Sequence, residues 1–332
     1  MAALGLVGLG VVMWWYRSLD AYAATPFGSA DQKVVEIPAG ARTKEVAARL
    51  GAAGVISDPL RFEWLARRLK RDRQVKFGEY EFSGAQVPEQ ILEALALGKV
   101  KLHHCTIPEG LRADEIARLL EGCQWGRAAE YLALAGDESF ARQLGIVGGH
   151  SLEGYLFPDT YSFPKAPKPE AVLRKMVEGF FEAYARAQAG RRPEVLLDVH
   201  QTATLASIIE KETGAAQERA HISCVFHNRL RKKMRLETDP TVIYAKILRL
   251  GAFDGNIRRE DLQYAHPYNT YSVKGLPPGP IANSGAAAIE AALAPLDCQD
   301  LYFVACGAGT HQFCPDYDCH LRHVNRCQLG KP

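Results

Sequence analysis

The segment Ile37-Pro-Ala-Gly-Ala-Arg-Thr-Lys-Glu-Val-Ala-Ala-Arg-Leu50 returns 70 residues later as Ile107-Pro-Glu-Gly-Leu-Arg-Ala-Asp-Glu-Ile-Ala-Arg-Leu-Leu120. Ile, Pro, Gly, Arg, Glu, Ala and the final Leu keep their places. A looser third copy is Val87-Pro-Glu-Gln-Ile-Leu-Glu-Ala-Leu95. Each copy reads as a strand, a Pro- or Gly-bearing turn and a short helix with apolar residues at helical spacing. Residues 34–37 (VVEI) and 78–82 (GEYEF) have strand character. Short strands with helices between them predict a small α+β module over residues 33–103.

Downstream of Ala113 the pattern becomes mainly helical. Periodic segments cover 172–187, 194–213, 217–233 and 286–294. Loops rich in Pro, Gly, Asn and Tyr separate them at 152–164, 264–285 and 307–318, and such loops commonly carry binding groups. The fold class expected is therefore α+β, with a mainly helical domain over 104–332. Lys plus Arg total 40 against 38 Asp plus Glu, which argues against a nucleic-acid binder. The basic run at 229–235 (RLRKKMR) reads as a solvated helix end.

Residues 1–16 (MAALGLVGLGVVMWWY) carry no charged side chain, and Trp14, Trp15 and Tyr16 meet Arg17 as at a membrane interface. The reading adopted is a transmembrane anchor over 1–19 and a tether over 20–32. Sixteen helical residues reach only about 24 Å, short of a ~30 Å hydrocarbon core. The span is then either locally thinned bilayer or the end of a segment that starts further upstream. A signal peptide cleaved near Ala21-Tyr22-Ala23 and a buried core helix are the rival readings.

In Leu205-Ala-Ser-Ile-Ile-Glu-Lys-Glu-Thr-Gly214 an apolar helix ends on two acids. On a wheel of 100° per residue, Leu205, Ala206, Ile208 and Ile209 form one stripe. Glu212 points into its middle, Glu210 lies on its flank and Lys211 points away. A carboxylate at a helix C-terminus is disfavoured by the dipole and by burial. Both effects favour the protonated form that a general acid needs.

Seven blocks resemble the endolytic murein transglycosylases of the MltG/YceG-like family. They are Leu205–Thr213, LEGYLFPDTY from Leu152, VFHNRL from Val225, MRLETDPTVIY from Met234, YNTY from Tyr268, GLPPGPI from Gly275, and LYFV from Leu301 with HQF from His311. The resemblance implies a membrane anchor, a LysM-like module and a YceG-like catalytic domain outside the cytoplasm. It implies cleavage of the bond between N-acetylmuramic acid (MurNAc) and N-acetylglucosamine (GlcNAc) in peptidoglycan strands, leaving 1,6-anhydro ends. It gives the catalytic role to Glu210, whereas the wheel favours Glu212. No cofactor or metal is implied. Peptidoglycan is the implied partner, with peptidoglycan synthases as further ones. The chain departs from the family at Asn283-Ser284-Gly285, where the family has Asn-Pro-Gly, and at His320-Leu321, where it has His-Asn.

Glu153, Tyr244, Tyr268, Asn269, Thr270, Tyr271 and His311 lie in matching blocks and are candidate substrate-binding residues. The tyrosines would offer stacking faces, and Asn269 and Thr270 hydrogen bonds to acetamido groups. Asp239-Pro240 reads as a turn and cap. Competing functions are a non-catalytic peptidoglycan-binding scaffold and a hydrolytic muramidase, which needs a second carboxylate. Five of eight cysteines fall between Cys298 and Cys327. Disulfides, free thiols and a metal site all remain open there, and Cys224 reads as a core residue.

Overall fold

The structure is a computed structural model that describes residues 2–212, 214–307 and 309–330, with backbone only for 2–10 and Val12. Met1, Thr213 and Ala308, which fall in stretches discussed above, lie outside the described residues. The chain forms two compact units, residues 1–104 with 162–166, and 105–161 with 167–332.

The first unit opens with α1 (Ala2–Ala24). It continues through β1 (Lys33–Ile37), α2 (Thr43–Ala52), α3 (Pro59–Arg68), β2 (Gly78–Phe82) and α4 (Pro88–Leu97). β1 and β2 pair antiparallel, with Lys33 opposite Phe82 and Ile37 opposite Gly78. Val35, Ile37, Tyr80 and Phe82 alternate inward, as a strand's two-residue period requires. They meet Val46 and Leu50 of α2, Phe62 and Leu65 of α3, and Ile91 and Leu95 of α4. Asp58 caps α3 by accepting from the amides of Leu60 and Arg61, and Pro59 starts the helix.

Two expectations for the N-terminus change here. Residues 20–24, expected to begin a tether, are the last turns of α1. Leu19 and Tyr22 are buried in the unit's core, and the Tyr22 hydroxyl donates to the Asp58 carbonyl at 3.1 Å. Phe27 then bridges to Gln86. The expected membrane crossing is not supported, because among the described residues no helix is long and apolar enough to cross a bilayer.

β3 (His103–Thr106) pairs with β4 (Thr160–Phe163). The second unit holds α5 (Ala113–Gly122), α6 (Ala128–Ala135), α7 (Glu138–Gln143), α8 (Pro169–Ala187) and α9 (Val199–Glu212). α10 (Arg219–Arg231), α11 (Asp239–Leu250), α12 (Arg259–Gln263) and α13 (Ala286–Leu293) follow. The hairpin β5 (Tyr302–Ala305) and β6 (His311–Cys314) then leads to α14 (Tyr317–Cys327). α9 packs on α10, α11 and α13, and every residue from Thr202 to Ile209 is buried. All-round burial is possible because its polar residues are small and satisfied within the helix. Thr202, Thr204 and Ser207 donate back to the carbonyls of Asp198, His200 and Thr204.

All eight cysteines are paired, as Cys105–Cys123, Cys224–Cys298, Cys306–Cys327 and Cys314–Cys319. Cys224 is thus a buried disulfide partner rather than a plain core residue. The pairing also removes the thiolates from the two clusters with metal-site spacing, Cys314/Cys319/His323 and His221/Cys298/Asp300. α14 has no buried residue, and it is tied to the hairpin by the bonds at Cys319 and Cys327 and by Tyr317 and His320 packing on the Tyr302 ring. Reduction is expected to release α14, raising hydrogen exchange over 317–327 while α9 stays protected. Equal protection of α14 with and without reductant would contradict this.

Candidate active site

The buried α9 delivers two carboxyl groups at its C-terminal end, and their surroundings differ. Glu212 lines a cavity of about 290 Å³ together with Asp239, Tyr271, His311, His320 and Arg229. Its carboxyl accepts a short hydrogen bond from the Thr238 hydroxyl. Burial pushes its pKa up to about 7, opposed by the Thr238 bond and reinforced by the charge of Asp239.

Glu210 does not line this cavity. Its side chain is 7% exposed and lies 3.4 Å from the Arg219 guanidinium. Its second oxygen accepts from the Gly285 amide at 3.1 Å. Its pKa is raised by burial and by the charge of Glu109, against the Gly285 amide and Arg219, which favour its charged form. Glu109 lies 4.0 Å from the same guanidinium, so Arg219 is held between two acids. The wheel assumed one apolar stripe; α9 is enclosed on all sides, so both acids are sheltered and their partners distinguish them.

Asp239 is the first residue of α11, where the helix dipole favours an acid. It accepts from the Tyr271 hydroxyl at 2.7 Å, which points both groups toward the cavity that Glu212 lines. His311 is fixed by Glu218, which accepts from its amide at 3.0 Å and contacts Nδ1 at 2.8 Å. His320 stacks on Tyr302 with centroids 5.3 Å apart, and burial pushes its pKa down.

Of the sequence-derived candidates, Tyr271 and His311 reach this cavity with Glu212. Glu153 does not. It is buried, and burial pushes its carboxyl up to about 7. It accepts from the Ala113 amide at 3.1 Å, the Asn283 side chain at 2.9 Å and the Tyr244 hydroxyl at 3.4 Å. That ties the start of α5, the 283 loop and α11 into one hub. Tyr244 is buried beside Tyr268, with ring centroids 4.9 Å apart, so its face packs within the protein.

Asn269 and Thr270, expected to bind acetamido groups, are fully buried. The Asn269 amide donates to the carbonyls of Asp261, Leu262 and Tyr264, and its oxygen accepts from the Tyr271 amide. Thr270 accepts from the Thr238 amide and bonds Thr241. These two residues shape the loop that presents Tyr271, because their own polar groups are already satisfied.

The basic run also reads differently in the structure. Arg229 is buried, and its guanidinium donates to the carbonyls of Leu301 at 2.6 Å and Leu236 at 2.8 Å. It lies 5.0 Å from the Tyr302 ring and 3.4 Å from Glu237. A signal for this existed, since Arg229 follows the apolar Val225 and Phe226 at helical spacing. The roles of Arg219, Glu218 and Thr238 had no comparable sequence signal, because each depends on a partner distant in the chain.

Together these features define an α+β protein with a polar cavity built around carboxyl groups at the end of a buried helix. The profile of the YceG-like family matches residues 35–326, and the chain belongs to that family. It is similar to a Bacillus subtilis protein named endolytic murein transglycosylase, 32% identical over 82% of this chain and 78% of that one. A Streptococcus pneumoniae protein of the same name is 29% identical over 91% of this chain, which spans 59% of that relative's length. The crystal structure of a yceG-like protein from Listeria monocytogenes is 34% identical, with a TM-score of 0.59. That match covers 89% of this chain and 99% of the other.

Proposed function

We propose that this chain is an endolytic murein transglycosylase in which Glu212 is the general acid. The observation that carries the assignment is the cavity, which Glu212 lines with its carboxyl pushed up to about 7 by burial, against the Thr238 bond and the charge of Arg229. A carboxyl so placed is protonated over a useful range near neutrality. The resemblance put this role on Glu210. Glu210 is the second candidate for the acid, since burial and the charge of Glu109 raise its pKa while the Gly285 amide and Arg219 favour its charged form.

In the proposed reaction Glu212 gives its proton to the oxygen bridging MurNAc and GlcNAc as the bond from C1 breaks. The muramyl C6 hydroxyl attacks C1 and closes the 1,6-anhydro ring, and its proton returns to Glu212. No water is consumed, and attack within one ring supplies the proximity that a second substrate would otherwise need. The charge of Asp239, whose carboxyl accepts from Tyr271, raises the pKa of Glu212. A hydrolytic muramidase is the second reading, and Asp239 favours it by supplying a second carboxylate.

The surrounding assignments rest on the resemblance and on the relatives' names. The first unit, with its β1–α2–α3–β2 order, is a LysM-like module that holds glycan. α1 engages the inner membrane and the second unit acts on its outer side, near peptidoglycan synthases. Four disulfides support an oxidising compartment.

Incubation with purified glycan strands tests the activity. Endolytic cleavage shortens the mean strand length early in the reaction, whereas a binding scaffold leaves the lengths unchanged. Asp239→Asn is expected to lower the pKa of Glu212 and move the alkaline limb of the pH–rate profile to lower pH. An unmoved limb would remove Asp239 from this role.

A further inference from the structure

In the first unit, α3 turns Phe62, Leu65 and Ala66 into the core and leaves Leu60, Trp64, Arg67 and Arg68 on the opposite face. Leu60 is 58% and Trp64 46% exposed, an unusual outlay of apolar surface on a short charged helix. This face adjoins the aromatic end of α1. Trp15 meets Trp64 edge-on with centroids 6.4 Å apart, and the Arg68 guanidinium lies 5.6 Å from the Tyr16 ring. Val11, Met13 and Trp14 of α1 are exposed as well.

The charge is equally local. Residues 61–76 contain seven Lys and Arg against Glu63 and Asp72, a net of +5, while the whole chain carries +2, so the remainder sums to −3. Arg67 and Arg68 pair with Glu63 and Asp20 on the surface. Lys70 and Arg73 are exposed, with no ion pair among the described residues. Tryptophan and tyrosine beside a basic cluster suit a bilayer interface with anionic headgroups, where the rings sit among the headgroups and the cations meet phosphate.

We propose that the exposed face of α3, together with the aromatic end of α1, seats the first unit on an anionic phospholipid surface. This rests on the reading that α1 engages the membrane. It adds that the first unit is docked on the bilayer rather than hung from it. The packing of Leu19 and Tyr22 into the core makes the docking stiff, because α1 and α3 belong to one packed body. Seating does not require α1 to span the bilayer.

The test uses the full chain in phosphatidylcholine vesicles with or without phosphatidylglycerol. The photo-reactive residue p-benzoylphenylalanine replaces Trp64, Val11 or Val34 in turn. The expected result is lipid adducts at positions 64 and 11, several-fold above those at the exposed β1 position 34. The adduct at 64 should fall several-fold without phosphatidylglycerol or in a Lys70→Ala/Arg73→Ala variant. Adducts at 11 but only background at 64 would overturn the seat and leave the membrane reading standing. No adduct at 11 would remove the membrane reading and the seat with it. An adduct at 64 that ignores lipid charge, or that joins two copies of the chain, would also overturn the proposal.

Discussion

Glu212→Gln is expected to slow glycan cleavage by a factor of roughly 10²–10⁴, the usual range for loss of a general acid. The fold should survive, because glutamine keeps an oxygen to accept from Thr238 and is neutral like the protonated acid it replaces. In the wild type the acid works while protonated, so the rate should fall as pH rises through about 7. Glu210→Gln weakens the contacts with Arg219 and the Gly285 amide, and should act through the shape of the α9 end. The pH at which the remaining activity declines should then stay near that of the wild type. A rate profile in which Glu210→Gln abolishes cleavage and Glu212→Gln does not would reverse the assignment.

Glu153→Ala is expected to cause the largest loss of stability, on the order of 2–4 kcal/mol. It leaves the Ala113 amide and the Tyr244 hydroxyl without their acceptor, and the Asn283 amide group with only the Leu111 carbonyl. Cleavage should weaken too, because the 283 loop leads into Gly285, the partner of Glu210. The pH dependence has a definite sign. Burial raises the folded-state pKa of Glu153 and of Glu212 to about 7 from 4.5, so the folded chain holds these protons more tightly than the unfolded one. Their contribution is fully present below about 4.5 and is lost as pH rises through about 7. Denaturant midpoints across that window should decline in the wild type and decline less in Glu212→Gln. Identical slopes would mean that the carboxyls are not sheltered.

How much was legible in the sequence follows from what kind of information each feature needs. The repeated strand-turn-helix pattern was readable because the period and the Pro–Gly turn are local. The end of α9 was readable as an acidic site for the same reason, but the wheel's single apolar stripe was not the real environment, since α9 is enclosed on all sides and both acids are sheltered. Which acid carried a guanidinium was not readable, since Arg219 is brought to Glu210 by the turn between α9 and α10. Asn269 and Thr270 look like ligand groups in a loop, and only the carbonyls gathered around them reveal a structural task. The disulfide partners were beyond reach because eight cysteines allow 105 complete pairings. Arg229 was hidden by its neighbours, whose charges made one buried guanidinium resemble a solvated run.

The most direct measurement is mass spectrometry of the new ends made from purified glycan strands by the wild type, Glu210→Gln and Glu212→Gln. The account predicts 1,6-anhydromuramyl ends from the wild type, fewer of the same ends from Glu210→Gln, and none from Glu212→Gln. Reducing ends from the wild type would mean that water attacks, and intact strands with a well-folded wild type would mean that the cavity only holds glycan. Either result would contradict the transglycosylase account.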